Sequence, residues 1–208
     1  MDTETIVAAM LTRRSVSPKR LALPAPSREA LNSIIGAALR APDHGGLLPW
    51  RVIEFPPGSR EALAELFAAE KLRRDPVASA DDIARAREHA IHAPAVLAFV
   101  VRPERHPLVP THEQWLSAGA ALGNILAATH LLGFGAIMLS GERCHDEPLR
   151  AALKVGADEV LAGFISIGSI AKTPPAVARP ARERVWSCWS PTEGHVLSSA
   201  CASAPVTT

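Results

Sequence analysis

Between Trp115 and Gly141 the chain carries no Asp, Glu, Lys or Arg. An uncharged run of that length either crosses a bilayer or is buried inside a folded domain. Asn124, Thr129 and His130, with glycines at 119, 123, 133, 135 and 141, argue against a span. Gly133-Phe134-Gly135 divides the run into a helix that ends near Gly133 and a strand over 136–139. Both pieces need apolar neighbours, so the segment predicts a long buried helix and a buried strand at the centre of a globular domain.

The flanking sequence supplies those neighbours. A helix over 3–12 has Ile6, Val7, Met10 and Leu11 on one face. Ser27 caps a second helix carrying Leu31, Ile34, Ile35, Ala38 and Leu39, which Pro42 stops. Strands are expected over 51–55, 95–101 and 160–167, with helices starting at Ser59, running from Ser79 to about His92, and over 147–153. Lys71–Pro76 reads as a charged loop and Arg102–Pro110 as a proline-rich, mobile one. Thr111-His112-Glu113-Gln114 fits a capping box that opens the central helix. After Gly168, Pro174-Pro175, Pro180, Trp186 and Trp189 suggest an extended arm that packs two indoles. Residues 191–208 are rich in Ser, Ala, Thr and Pro and are expected to be disordered, leaving one α+β or α/β domain over 1–190.

The 208 residues hold 22 Lys and Arg against 21 Asp and Glu, a balance that calls for neither nucleic acid nor a membrane surface. Cys144, Cys188 and Cys201 form no CxxC pair, so neither a disulfide framework nor a zinc site is expected. Met1-Asp2-Thr3-Glu4 lacks the basic-then-apolar layout of a secretory signal, and a reducing cytoplasmic setting is the expectation.

Two clusters carry chemistry. Arg13-Arg14-Ser15 sets two guanidiniums and a hydroxyl at a helix end, a natural anion grip, although a solvated helix end has the same composition. Arg40-Ala41-Pro42-Asp43-His44, followed by Pro49-Trp50, places a cation, a rigid turn and an imidazole at the next helix end. His130 on an apolar helix reads first as a satisfied core histidine, and Gly119 and Gly123 as a site of close helix packing. There is no metal-ligand spacing, no G-x-S-x-G element and no evident acid–base carboxylate pair.

In order along the chain, these clusters resemble the FMN-dependent nitroreductase family, in particular its small NAD(P)H nitroreductase branch. Arg13-Arg14-Ser15 is similar to the family's opening phosphate motif, and Arg40–His44 with Pro49-Trp50 to its second segment. Ser117-Ala118-Gly119 through Gly133-Phe134-Gly135 resembles the central helix and turn, and Ala162–Gly168 the last core strand. The resemblance implies an α+β fold with a central mixed sheet flanked by helices, a long central helix and a C-terminal arm. It implies a homodimer with FMN at the subunit interface and NAD(P)H as reductant, hydride passing through flavin N5 to an acceptor such as a nitroaromatic or quinone. A non-catalytic flavin-binding or storage protein on the same scaffold is the alternative.

By the same resemblance Arg13, Arg14 and Ser15 hold the ribityl phosphate, and Arg40 and His44 reach the flavin from the partner subunit. Met138, Leu139 and Ser140 run beside the cofactor, and Ala128, Thr129, His130, Leu131, Leu132 and Gly133 match a nicotinamide segment. The flavin carries the chemistry, so no catalytic residue or metal is assigned. Two departures stand out: Ser17 where relatives often carry arginine, and Met138-Leu139-Ser140 where the branch tends to Trp-Arg-Ser. Lys19, Arg20 or Lys172 are candidates to replace the lost charge.

Overall fold

The structure, a computed structural model, describes residues 3–190 and 194–197. The chain divides into two compact units, Met1–Pro174 and Pro175–Thr208. The break falls at the Pro174-Pro175 pair, ahead of the boundary expected near 190.

The first unit is organised by two strands buried on both faces, β3 (Ala95–Val101) and β5 (Val160–Ile170). Along β3, Val96, Ala98 and Val100 point into one core and Leu97, Phe99 and Val101 into the other. Continuous apolar sequence of strand length is what burial on both faces demands. The first core is closed by α3 (Arg60–Arg74), α4 (Ala80–Ile91) and α6 (Glu147–Ala152), which contribute Leu63, Phe67, Ala90 and Leu149. The second is closed by α2 (Arg28–Ala38) and α5 (Thr111–Leu131), through Leu31, Ile34, Ala118, Ala121 and Ile125. Each fully buried Phe, Leu or Ile contributes about 1.5–3 kcal/mol, so the two cores dominate the stability of the unit.

Strand β2 (Trp50–Phe55) pairs with β3, β3 with β5, and β5 also receives β4 (Gly135–Leu139) and the short β1 (Leu21–Ala22). Every described pairing is antiparallel, where a mixed sheet was expected. The excursion through α3 and α4 returns the chain antiparallel beside β2, whereas that through α5 carries it across β5, so that β3 and β4 flank β5 in the same sense. The uncharged run divides as anticipated into α5 and β4. Gly133, at φ 84°, turns the chain between them, with its amide donating to the His130 carbonyl at 2.9 Å.

Three local expectations are corrected. The charged loop over 71–76 is largely helix, because Arg74 pairs with buried Glu70 at 2.6 Å and Lys71 with Asp75 at 2.7 Å, extending α3 to Arg74. No capping box opens α5: Pro110 occupies the cap position without a side-chain bond. Gln114 is instead buried, accepting from the Glu104 amide at 2.9 Å and donating to the Glu104 carbonyl at 2.8 Å and the Val109 carbonyl at 3.2 Å. Those three bonds fasten the 102–110 loop, which therefore lacks the freedom expected of it.

In the second unit β6 (Ser187–Ser190) and β7 (Gly194–Leu197) form an antiparallel hairpin. Regular structure thus reaches into the stretch expected to be disordered, of which 191–193 and 198–208 lie outside the described residues. Trp186 and Trp189, expected to pack, are exposed. Cys188 is disulfide-bonded, against the expectation from the cysteine count.

One ion pair locks the sheet edge. Arg51 on β2 donates from Nε and Nη2 to the two carboxylate oxygens of Glu159 at 2.7 and 2.6 Å, and the Gly156 amide adds a third bond at 2.8 Å. The Arg51 fork draws the Glu159 carboxyl down from 4.5 to about 2. A depressed folded-state value means that this stabilisation is complete above the ordinary carboxylate range and is lost as the pH falls toward that lower value. Glu159→Gln is expected to cost about 1.5–3 kcal/mol at neutral pH. In urea unfolding it is also expected to flatten the fall in stability between pH 4.5 and about 2; an unchanged acid limb would count against the clamp.

Candidate functional site

Arg13-Arg14-Ser15 follows directly on α1 (Thr3–Thr12). Its position is set from two sides. His130, at the C-terminal end of α5, brings Nε2 to 2.9 Å from the Ala9 carbonyl and 3.1 Å from the Thr12 hydroxyl. That pins the last turn of α1 to α5. On the other side, buried Val16 donates its amide to the Ala136 carbonyl of β4 at 3.0 Å. The run is therefore held between α5 and β4.

The segment leaving β5 joins the same loop. Arg20 Nη1 donates to the Thr173 carbonyl at 2.9 Å, Arg14 Nη1 to the Pro174 carbonyl at 3.2 Å, and the Ala171 amide to the Arg20 carbonyl at 2.9 Å. Lys19, Arg20 and Lys172 thus join Arg13 and Arg14 around one short stretch of chain. No carboxylate among the described residues forms an ion pair with Lys19, Arg20 or Lys172. Cationic groups gathered on one stretch of chain fit a phosphate group.

Strand β4 then carries Met138, Leu139 and Ser140 toward solvent, Leu139 and Ser140 being exposed. This end of β4 lies close against β5 because residue 163 is glycine. A Cβ there would stand 2.7 Å from Met138 Cε and 2.8 Å from the Leu139 carbonyl oxygen. Beyond Gly141 the chain is tied down again: Cys144 is buried and the Arg143 guanidinium lies 4.2 Å from the centroid of the Phe67 ring. Arg143 Nη2 donates to His89 Nδ1 at 3.2 Å. Burial, and then the Arg143 charge, hold His89 below its ordinary value, which keeps it a neutral acceptor.

Arg40 and His44 belong to a different place. They sit on the loop between α2 and β2, which is shaped by left-handed residues: Gly45 at φ 79°, Gly46 at 64° and Leu48 at 47°. For Leu48 this conformation costs about 1–2 kcal/mol. Asp43 secures it by accepting the Leu48 amide at 2.8 Å. His44 Nδ1 donates to Glu113 Oε2 at 2.7 Å, in the first turn of α5. Glu113 and His130 stand seventeen residues apart on that helix, about 25 Å at the α-helical rise. The predicted residues therefore form two groups at opposite ends of α5, Arg13–Ser15 with β4 at one and Arg40 with His44 at the other.

Of the segment 128–133, Thr129 is fully buried and donates to the Ile125 carbonyl at 2.7 Å, and His130 serves α1 as a core histidine would. Leu131, Leu132 and Gly133 are at the surface. Between the two groups the outer face of α5 is apolar and uncovered. Leu116 is 71% exposed, and a Cβ on Gly119 or Gly123 would meet nothing within 4 Å, so the close packing expected there has no partner among the described residues. Ile6, Val7, Met10 and Leu11 of α1 are exposed as well. Glu113 and Gly163 were not singled out as site residues from sequence. Glu113 was visible only as a helix-start charge, and the glycine only as part of a strand.

Comparison with known proteins bears on what this arrangement is. The model of the Nitroreductase family matches residues 10–169. "Putative NAD(P)H nitroreductase YdjA" of Escherichia coli K12 is 33% identical over 162 residues, 77% of this chain and 85% of that protein. Among solved structures, a nitroreductase-like family protein from Bacillus cereus superposes with a TM-score of 0.72 at 17% identity, covering 87% of this chain and 94% of that one. A structure from Desulfovibrio desulfuricans solved in complex with FMN gives a TM-score of 0.65 at 24% identity, covering 86% and 94%. The two structures share the fold, and the matched span runs from the end of α1 through β5, so that it takes in both residue groups: the chain belongs to the nitroreductase family.

Proposed function

We propose that this chain is an NAD(P)H-dependent flavin oxidoreductase that works as a homodimer, with each FMN held between two copies. The observation that carries the reading is the separation of the two residue groups by the length of α5, with an uncovered apolar face between them. Residues at both ends cannot meet one small cofactor within a single copy. A second copy packed antiparallel across Gly119 and Gly123, near the middle of α5, brings the Arg40–His44 end of one chain to the Arg13–Ser15 end of the other. Glycine at both positions lets the helix backbones approach closely, and the absence of charge on α5 after Glu113 leaves nothing to desolvate at the contact.

In this arrangement Arg13, Arg14 and Ser15 hold the FMN phosphate, and Lys172 and Arg20 supply charge that relatives draw from an arginine at the Leu139 position. The backbone over Met138, Leu139 and Ser140 borders the flavin, and Arg40 and His44 approach it from the partner copy. Leu131, Leu132 and Gly133 are the members of the nicotinamide segment exposed to a dinucleotide. Bound FMN supplies the redox chemistry, taking hydride from NAD(P)H and passing reducing equivalents to an electron-poor acceptor such as a nitroaromatic or a quinone. The chain's part is to bind, orient and shield, which accounts for the lack of a nucleophile or acid–base carboxylate pair in the sequence.

Two outcomes are expected. In fluorescence titration with FMN, Arg13→Ala weakens binding by about 1.5–3 kcal/mol, roughly 10- to 150-fold, the scale of a charged hydrogen bond; unchanged affinity would remove Arg13 from the phosphate site. Gly123→Glu places a carboxylate in the uncovered apolar face, where the fold of one copy has room for it. Light scattering is expected to give a monomer that no longer retains FMN. A monomer with full FMN occupancy would refute the two-copy site.

A further inference from the structure

We propose that His44, held by Glu113, delivers the proton that accompanies two-electron reduction of the acceptor. The inference rests on the function proposed above, and it gives Glu113 a role that no sequence pattern suggested. A carboxylate only accepts hydrogen bonds, so the 2.7 Å contact to Glu113 Oε2 fixes a proton on His44 Nδ1. The other ring nitrogen, Nε2, is left for exchange, and the side chain is 62% exposed. The imidazole is thus oriented by a neighbouring charge without being shut away from a substrate.

The loop that carries it is built to hold that pose. Gly45 and Gly46 take left-handed conformations, Leu48 is forced into one, and the Asp43 carboxylate closes the turn on the Leu48 amide. A Cβ on Gly45 would lie 3.3 Å from Val109 Cγ2, so the loop rests directly on the 102–110 segment. That segment is in turn fastened by Gln114, the residue after Glu113. His44, its supporting loop and its carboxylate therefore belong to one connected frame at the start of α5.

The other residues assigned to the site lack this capacity. Arginine, serine, methionine and leucine side chains, which make up the rest of that set, are not general acids near neutrality. The other histidine, His130, has Nε2 committed to α1. Reduction of a quinone needs what His44 can give. A hydride, drawn ultimately from NAD(P)H, adds to one carbonyl oxygen, and the displaced electron pair settles on the other as a phenolate. In its imidazolium form, with protons on both ring nitrogens, His44 gives that oxygen the Nε2 proton, leaving hydroquinone and the neutral Nδ1–H imidazole, which takes up a second proton from water. One hydride and one proton are consumed, and the charges balance.

The test compares acceptors in the FMN-loaded homodimer. Ferricyanide takes electrons without protons, whereas a benzoquinone needs the proton. His44→Gln is expected to lower the ratio of quinone to ferricyanide turnover roughly 100-fold, the usual scale for a lost general acid. Added imidazole is expected to restore part of the quinone rate to His44→Ala. Glu113→Gln is expected to lower the same ratio by a smaller factor. In nitrogen-15 NMR of the protein it is also expected to shift the His44 ring from the Nδ1–H form toward a mixture of tautomers. If both acceptors slow in parallel in His44→Gln, the residue serves only to hold the cofactor and the proposal is overturned. If Glu113→Gln leaves the His44 tautomer as it was, the positioning role is overturned. Wild-type protein that takes up no FMN would overturn the function proposed above and this assignment with it.

Discussion

The antiparallel pairing of β3 with β5 is the interaction on which the rest of the molecule depends. Both strands are buried on both faces, so they define two cores at once and force helices onto each side. The order follows from there. Strand β2 extends the sheet beyond β3 at one edge, while β4 pairs along Phe164–Gly168 of β5 and β1 takes the last residues of that strand, Ser169 and Ile170. The cationic loop is held to β4 by Val16 and to the exit of β5 by Arg20, so its geometry is inherited from the central strands.

Helix α5 sets the two residue groups apart on that scaffold. Its inner face fills one core, its two ends hold His44 and α1 through Glu113 and His130, and its outer face is left uncovered. Three demands on one helix explain its composition. Charge in the middle would spoil either the core or the outer face, so no Asp, Glu, Lys or Arg follows Glu113 along the helix. Asn124 donates to the Ala37 carbonyl at 3.0 Å and so fastens α2.

What the sequence disclosed and what it concealed divide along physical lines. The long uncharged run, the apolar strand over 95–101 and the Ser27 and Ser79 caps were legible because burial on two faces, helical period and caps leave local signatures. The extent of α3 was not, since Glu70 and Arg74 read as solvated charge until the fold buries the glutamate. Gln114 looked like half of a capping box because its local spacing fits one, yet its amide is spent on a loop ten residues upstream. In the site, the two clusters were legible as clusters, and their order along the chain suggested the family. Their separation by α5 was not, nor was the link from residue 44 to residue 113, because no local pattern connects positions that distant. Gly163 gave no signal either: its meaning lies in how closely the Leu139 backbone approaches it.

The two glycines on the outer face of α5 have a thermodynamic side. Each weakens an isolated helix by about 1 kcal/mol relative to alanine, and among the described residues of one chain a side chain at either would meet nothing in exchange. The deficit falls on the element that supports one of the two cores. Where two copies meet across this face, association offsets it, and folding becomes linked to subunit concentration by mass action. A homodimer of this chain accordingly has no single melting temperature: its midpoint rises as the protein is concentrated, and dilution alone erodes the fold.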